Sequence, residues 1–227
     1  MDAPDARQTA RFITFEGGEG AGKSTQLRLL AARLRAAGVT VVETREPGGC
    51  PMAEKLRALL VTGGPGDLDP LAECFLLLAA RVEHLRTVIR PALARGAWVL
   101  CDRFSLSTLA YQGAGRGMDT GQLLAMNQWV QQGLEPERVI VLDLDPAVGL
   151  VRAAGRRGSG ETRFESEALA FHQRVRAGFL QWASADPVRI RVIDGAMDPE
   201  QVAAAVWEEV GLARRTFLTG PVYDKTE

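Results

Sequence analysis

Five short apolar runs, "RFITFE", "VTVVETRE", "AWVLCDRF", "RVIVLDLD" and "VRIRVID", recur along this chain, separated by longer stretches of helical spacing. Runs of this length, bounded by turn residues, read as strands, and strands apolar almost throughout are those covered on both faces. Between them, "TQLRLLAARLRAAG" carries apolar residues three and four apart and closes on glycine, and residues 71–94 form a longer, largely apolar helical pattern. Alternation of this kind requires right-handed crossovers, which predicts a five-stranded parallel sheet flanked by helices in a three-layer α/β fold. Ligands of such folds gather at the carboxyl ends of the strands. "VTGGPGDLDP" and "GAGRGMD" read as loops. A length of 227 residues suits one domain, 1–227, with loose tails at about 1–10 and 215–227.

Charge narrows the partners. Lys plus Arg number 27 against 28 Asp plus Glu, a net charge of -1, which speaks against a nucleic-acid module. Aromatic residues are only 6%, too few for a base-stacking surface. The longest apolar runs stop well short of a membrane span, and "MDAPDARQTA" has no apolar core of a signal peptide, so the expected location is the cytoplasm. Cys50, Cys74 and Cys101 are far apart without a C-x-x-C pair, which fits core residues in a reducing compartment.

The first strand runs into "EGGEGAGKST", where Gly17 is followed after four residues by Gly22, Lys23 and Ser24. This is the spacing of a P-loop, and it stands between a strand and a helix, as that motif must. The glycines allow consecutive backbone N–H groups to face one phosphate, and the helix beginning near Lys23 adds its positive end. Residues Gly17, Gly18, Glu19, Gly20, Ala21, Gly22, Lys23, Ser24 and Thr25 are therefore the expected ATP cradle. Lys23 would reach the β and γ phosphates and Ser24 would give a hydroxyl to Mg²⁺. The fold expected is thus of the P-loop NTPase type.

A second acid is needed for the metal, and two strands end in one, Asp102 and Asp143. Asp143, in "DLDP", has a ready local use in closing a strand and starting a helix. Asp102 is followed directly by Arg103, which would set metal and phosphate groups side by side, and is favoured. Arg45, in "TREPGG", also ends a strand, and Arg81 lies in the apolar segment "FLLLAARV", where a buried guanidinium needs a partner. Each of these arginines alone is more often solvated or salt-bridged. Together they point to a second anionic substrate.

The stretch "RAAGRRGSGETRFE", residues 152–165, packs four arginines and three glycines between two helical patterns. A glycine-rich loop can hinge, and beside a P-loop its arginines read as a lid that meets phosphates on closure. Positioned arginines of this kind contribute ~10³ to 10⁵ in rate in related P-loop systems.

The motifs "EGGEGAGKST", "TREPGG", "AARV", "DRFSLSTLAYQGAGRG", "VLDLDPAVGL" and "RFE…FHQRVRAGFL", in this order, resemble those of bacterial thymidylate kinases over about residues 12–211. The resemblance implies transfer of the ATP γ-phosphoryl to dTMP, with Mg²⁺, in a cytoplasmic homodimer with no nucleic-acid or membrane partner. Carried over by position, it implies that Arg45 and Arg103 hold the dTMP phosphate, that Arg81 reaches the thymine edge, and that Glu19 lies beside the sugar or metal. Ser107, Thr108, Tyr111 and Gln112 would line the nucleoside pocket, with the tyrosine near the position that separates deoxyribose from ribose. Because Gly20 and Ala21 stand where some members carry a P-loop arginine, the catalytic cations fall to the lid: Arg152, Arg156 and Arg157, with Arg163 as a fourth candidate.

One departure concerns the base pocket. Aligned on Ala72, Glu73 and Arg81, the family usually places an aromatic ring, commonly Phe, where this chain has Leu77. Phe75 is two positions away on a helix and faces elsewhere. This departure keeps another nucleotide or deoxynucleoside kinase as the nearest alternative, and a P-loop regulatory protein that binds without transfer as a more distant one. Aromatic stacking is worth ~1 to 3 kcal/mol per base in other settings. Leu77→Phe is accordingly expected to lower the dTMP KM, and an unchanged or higher KM would show that the leucine costs nothing.

Overall fold

The computed structural model describes residues 11–155 and 163–216. The N-terminal tail, most of the C-terminal tail, and Arg156 and Arg157 lie outside the described residues. Five strands form one parallel sheet, β1 (Phe12–Glu16), β2 (Val41–Arg45), β3 (Trp98–Asp102), β4 (Arg138–Asp143) and β5 (Ile190–Asp194), in the order β2-β3-β1-β4-β5. Each corresponds to one of the five apolar runs. The central strand β1 is buried throughout, as its apolar sequence requires.

Alternation along the strands divides the core between two faces. Ile13, Phe15, Leu100, Ile140 and Leu142 pack with α1 (Lys23–Ala36) and α9 (Pro199–Thr216). On the other face Val139 and Val141 meet Leu78 and Cys74 of α3 (Pro70–His84), Leu123 of α6 (Thr120–Gln131) and Phe171, Val175 and Phe179 of α8 (Leu169–Ala185). Phe12, Val99 and Cys101 share that face with Phe104. The three cysteines are free and buried.

The long helical pattern at residues 71–94 is α3, a π-helical turn over Leu85–Ile89, and α4 (Arg90–Ala94). Two expected boundaries move. The first three residues of "GAGRGMD" close a π-helical segment, Leu109–Gly115, that follows α5 (Ser105–Thr108), where a loop was expected. The helical pattern that follows the arginine-rich stretch starts only at Leu169, after turns at residues 163–166. Arg152 belongs to the helix α7 (Pro146–Ala154), ahead of the loop in which the sequence grouped it. The remaining helix, α2 (Pro51–Val61), follows β2 and packs on α3.

The P-loop is pressed against α7. A Cβ on Gly20 would lie 2.0 Å from the Gly149 carbonyl oxygen, and one on Gly149 would lie 2.3 Å from that of Glu19. Gly149 is helical, so its role is clearance for the opposing backbone rather than an unusual φ. In an exposed helix alanine would be favoured there by about 1 kcal/mol. Here Gly149→Ala should instead lower the unfolding free energy by about 1–3 kcal/mol, the usual cost of overpacking. Urea titration checks this, and a variant as stable as the parent would contradict the close approach.

Candidate active site

The residues from Glu16 to Ser24 leave the end of β1 and enter α1 with Gly22 at the N-cap, which no described side chain caps. The first-turn N–H groups at that end are open to an anion, and the helix dipole favours one. Lys23, almost fully buried, donates through Nζ to the Gly18 carbonyl at 2.7 Å. Burial and the neighbouring Arg103 lower its pKa to about 8, against the pull of Asp102, Glu19 and Glu16.

The two strand-end acids left open by the sequence are separated by geometry. Asp102 Oδ2 accepts from Ser24 Oγ at 2.5 Å. Asp143 is instead held by Arg176, whose Nε and Nη2 donate at 2.7 and 2.8 Å. Ser24 and Asp102 line one cleft with Arg45, Glu54 and Arg28. A hydroxyl and a carboxylate oxygen brought together at a P-loop are the hard oxygen donors that Mg²⁺ takes, and these residues fit it. Arg45 is half exposed, and its Nη2 donates to both Glu54 carboxylate oxygens at 3.1 and 3.2 Å.

A second cavity, about 760 Å³ with its open mouth, lies on the other side of Arg103. It is lined by Glu19, Leu77, Arg81, Arg103, Ser107, Thr108, Tyr111 and Gln112, which brings together the expected nucleoside-pocket residues and two of the three arginines expected at the acceptor, whereas Arg45 lines the cleft of Ser24 and Asp102 instead. The α3 helix explains how the base end is made. Glu73, Leu77, Arg81 and His84 follow one another at intervals of four, four and three, so they share its inner face, while Phe75 is 55% exposed on the other. Arg81 is buried, with Nε on Glu46 at 2.7 Å, Nη1 on Asn127 at 2.5 Å and Nη2 on Thr108 at 3.0 Å. That is the partner set its apolar sequence context demanded.

Arg103 joins the cavity to the P-loop. Its Nη1 donates to the Gly17 carbonyl at 2.8 Å and its Nη2 to Glu19 at 2.8 Å. The Tyr111 hydroxyl donates to the same Glu19 oxygen at 2.8 Å. The Arg103 backbone is left-handed, φ 70°, and is held there by its N–H on Phe15 O and by the next N–H, that of Phe104, on Glu16.

Two carboxylates three residues apart titrate in opposite directions. Burial would raise the Glu19 pKa, but Arg103, Lys23 and the Tyr111 hydroxyl outweigh it and hold it at about 2. Burial of Glu16 prevails over Ser107, Arg103, Phe104 and Arg81, and its pKa rises to about 7.

Several participants carried no recognisable signal in the sequence. Glu46 accepts from Arg81 and meets His84 Nδ1 at 3.0 Å, and Asn127 comes from a distant helix. Arg57, on α2, also lines the cavity and donates to Pro47 O at 2.7 Å. Its only sequence mark is a cation one helix after "TREPGG".

The lid candidates part company. Arg152 donates to the Gly195 carbonyl at 3.1 Å and borders a third cleft with Gly20, Ala21, Gly22 and Thr25. Arg163 is 1% exposed and ion-paired with Glu73 at 2.6 Å, so it ties its segment to the core instead of standing free over phosphates.

The thymidylate kinase family model matches residues 15–206. The chain belongs to the thymidylate kinase family. It is 58% identical over 200 residues to a thymidylate kinase of Magnetococcus marinus, an alignment covering 88% of this chain and 95% of that one. Identity to a thymidylate kinase of Solidesulfovibrio magneticus is 53%, over 88% and 98% of the two chains. A crystal structure of thymidylate kinase from Ehrlichia chaffeensis superposes with a TM-score of 0.72 at 35% identity, covering 88% of this chain and 98% of that one. Membership in this family sets aside the regulatory P-loop protein and the nucleic-acid module. No described helix is long and apolar enough to cross a membrane.

The raised Glu16 pKa has a definite sign. Between pH 4.5 and 7 the folded state keeps a proton that the unfolded state has released, so stability falls as pH rises through that window and levels off above it. Glu16→Gln should remove a pH-dependent loss on the order of 3 kcal/mol between those limits. Chemical denaturation at a series of pH values measures it, and parallel curves for parent and variant would refute the assignment.

Proposed function

We propose that this thymidylate kinase transfers the γ-phosphoryl group of ATP to dTMP, giving dTDP and ADP for dTTP synthesis. One observation carries the reading: a cavity with Arg81 and Gln112 in its wall opens onto a P-loop through Arg103, whose guanidinium touches both sides. The acceptor phosphate would lie against Arg103 and Arg45 and be aimed at the γ-phosphorus, with the base between Leu77 and the Arg81 edge. Tyr111, hydrogen-bonded to Glu19, would stand beside the sugar.

The transfer is a direct in-line displacement without a covalent enzyme intermediate. A nucleotide phosphate is already an oxygen nucleophile at neutral pH, so no strong general base is required. Lys23 and the backbone N–H groups of the P-loop neutralise the donor phosphates, and the positioned arginines hold nucleophile and acceptor phosphorus in line. Ser24 and Asp102 would hold Mg²⁺, which would supply positive charge to the donor phosphates. Arg156 and Arg157 are assigned to the transferring phosphoryl group. Arg152, beside the outer side of the P-loop, is assigned to the donor nucleotide, a change from its catalytic expectation that follows from its bond to Gly195.

We also propose a homodimer. On α3, Leu71, Phe75 and Val82 are 48%, 55% and 43% exposed and share one helix face, an apolar stripe that supports a second copy as its cover. Buried free cysteines support the cytoplasm as the compartment.

A panel of dTMP, dUMP, AMP, dCMP and thymidine with ATP and Mg²⁺ should show dTMP as the best acceptor. Arg103→Ala should lower kcat/KM for dTMP by roughly 10² to 10³, the cost of losing one preorganised donor. Arg152→Ala should act mainly on the ATP KM. Near-normal turnover of Arg103→Ala with dTMP would sink the arrangement.

A further inference from the structure

Gln112 lines the cavity, and its carboxamide is not free to turn. Its Nε2 donates to Glu73 Oε1 at 2.8 Å. Glu73 is completely buried and is held in turn by Arg116, through Nε at 3.2 Å and Nη2 at 3.1 Å, and by Arg163 Nη2 at 2.6 Å. Arg163 is itself fixed by its Nη1 on the Leu60 carbonyl at 3.1 Å, and Arg116 by its Nη1 on Glu167 at 2.5 Å. A carboxylate clamped by two guanidiniums accepts hydrogen bonds, so it selects the NH₂ end of the Gln112 amide and repels the carbonyl end. That bond leaves the Gln112 carbonyl oxygen as the end not taken by Glu73.

We infer that Glu73 is a specificity-determining positioning residue, which fixes the Gln112 amide with its acceptor toward the bound base and so separates thymine and uracil from cytosine. The inference rests on the reading that Arg81 and Gln112 meet the edge of the base. Thymine and uracil offer an acceptor, O4, beside a donor, N3–H. Cytosine offers the reverse, a donor amino group beside an unprotonated N3. A guanidinium and a carbonyl oxygen complement the first edge, and against the second they set donor to donor and acceptor to acceptor. If Gln112 turned over to suit cytosine, its carbonyl would face the Glu73 carboxylate in a buried site, where such repulsion is little screened. Discrimination therefore comes from a residue that does not touch the base.

Steady-state kinetics with ATP, Mg²⁺ and either dTMP or dCMP tests this. Glu73→Gln keeps the shape but can pair with either end of the Gln112 amide. It should lower the dTMP-to-dCMP ratio of kcat/KM by roughly 10-fold or more, as the loss of one fixed hydrogen-bond polarity implies, with a smaller change in kcat for dTMP. A purely structural loss would depress both acceptors alike and leave the ratio in place, which would overturn the proposal. Gln112→Leu separates the two levels. If it too leaves the ratio unchanged, the base-edge reading has failed. If it collapses the ratio while Glu73→Gln does not, only the role of Glu73 falls. Should Glu73→Gln not fold, the parent enzyme decides by ¹⁵N NMR. The Gln112 side-chain amide, assigned by its absence in Gln112→Leu, must exchange slowly with solvent, and exchange at the rate of an exposed carboxamide would overturn the clamp.

Discussion

The Arg103 guanidinium, held between the Glu19 carboxylate and the Gly17 carbonyl, is the contact on which both halves of the site depend. It exists because β1 and β3 are neighbours in the sheet and end at the same level, with Phe15 paired to Asp102. One more backbone bond, Arg103 N–H to Phe15 O, prolongs that pairing past the strand end and sets the arginine over the P-loop. A left-handed backbone at a non-glycine residue costs about 1–2 kcal/mol. The surrounding bonds from Phe104 and Ser107 to the buried Glu16 hold it in place. The P-loop and the cavity beyond Arg103 are therefore tied together through one side chain.

Glu16 and Glu19 show how completely the environment decides what a carboxylate does. They stand three residues apart in a glycine-rich run, yet one is held ionised far below its ordinary pKa and the other is raised to about 7. The cause is the company each keeps. Glu19 faces Arg103 and Lys23, whereas Glu16 turns inward beneath Phe104, where burial outweighs every favourable contact. The α3 helix divides its labour in the same way, with an ionic inner face at the cavity and an apolar outer stripe.

Much of the fold could be read from spacing alone, since a buried parallel strand has no choice but to be apolar and five such runs are present. The P-loop was equally legible, because its geometry demands glycines and a lysine at fixed intervals of the chain. Arg81 was half legible: its apolar surroundings announced a partner but could not name Glu46, Thr108 and Asn127, which lie 35, 27 and 46 residues away. Arg163 misled for the complementary reason. In a basic, glycine-rich segment an arginine looks solvated, and only packing reveals the buried carboxylate, 90 residues distant, that claims it.

By itself, then, the sequence determined the parallel sheet, the phosphate cradle and the resemblance to thymidylate kinases, because those features depend on residues close together in the chain or on motifs kept in order. Tertiary structure alone decided which acid joins Ser24, which arginines face the cavity, how Glu16 and Glu19 titrate, and which end of the Gln112 amide meets Glu73. Each of these depends on burial or on a charge brought from a distant element, and pattern along the chain carries no record of either.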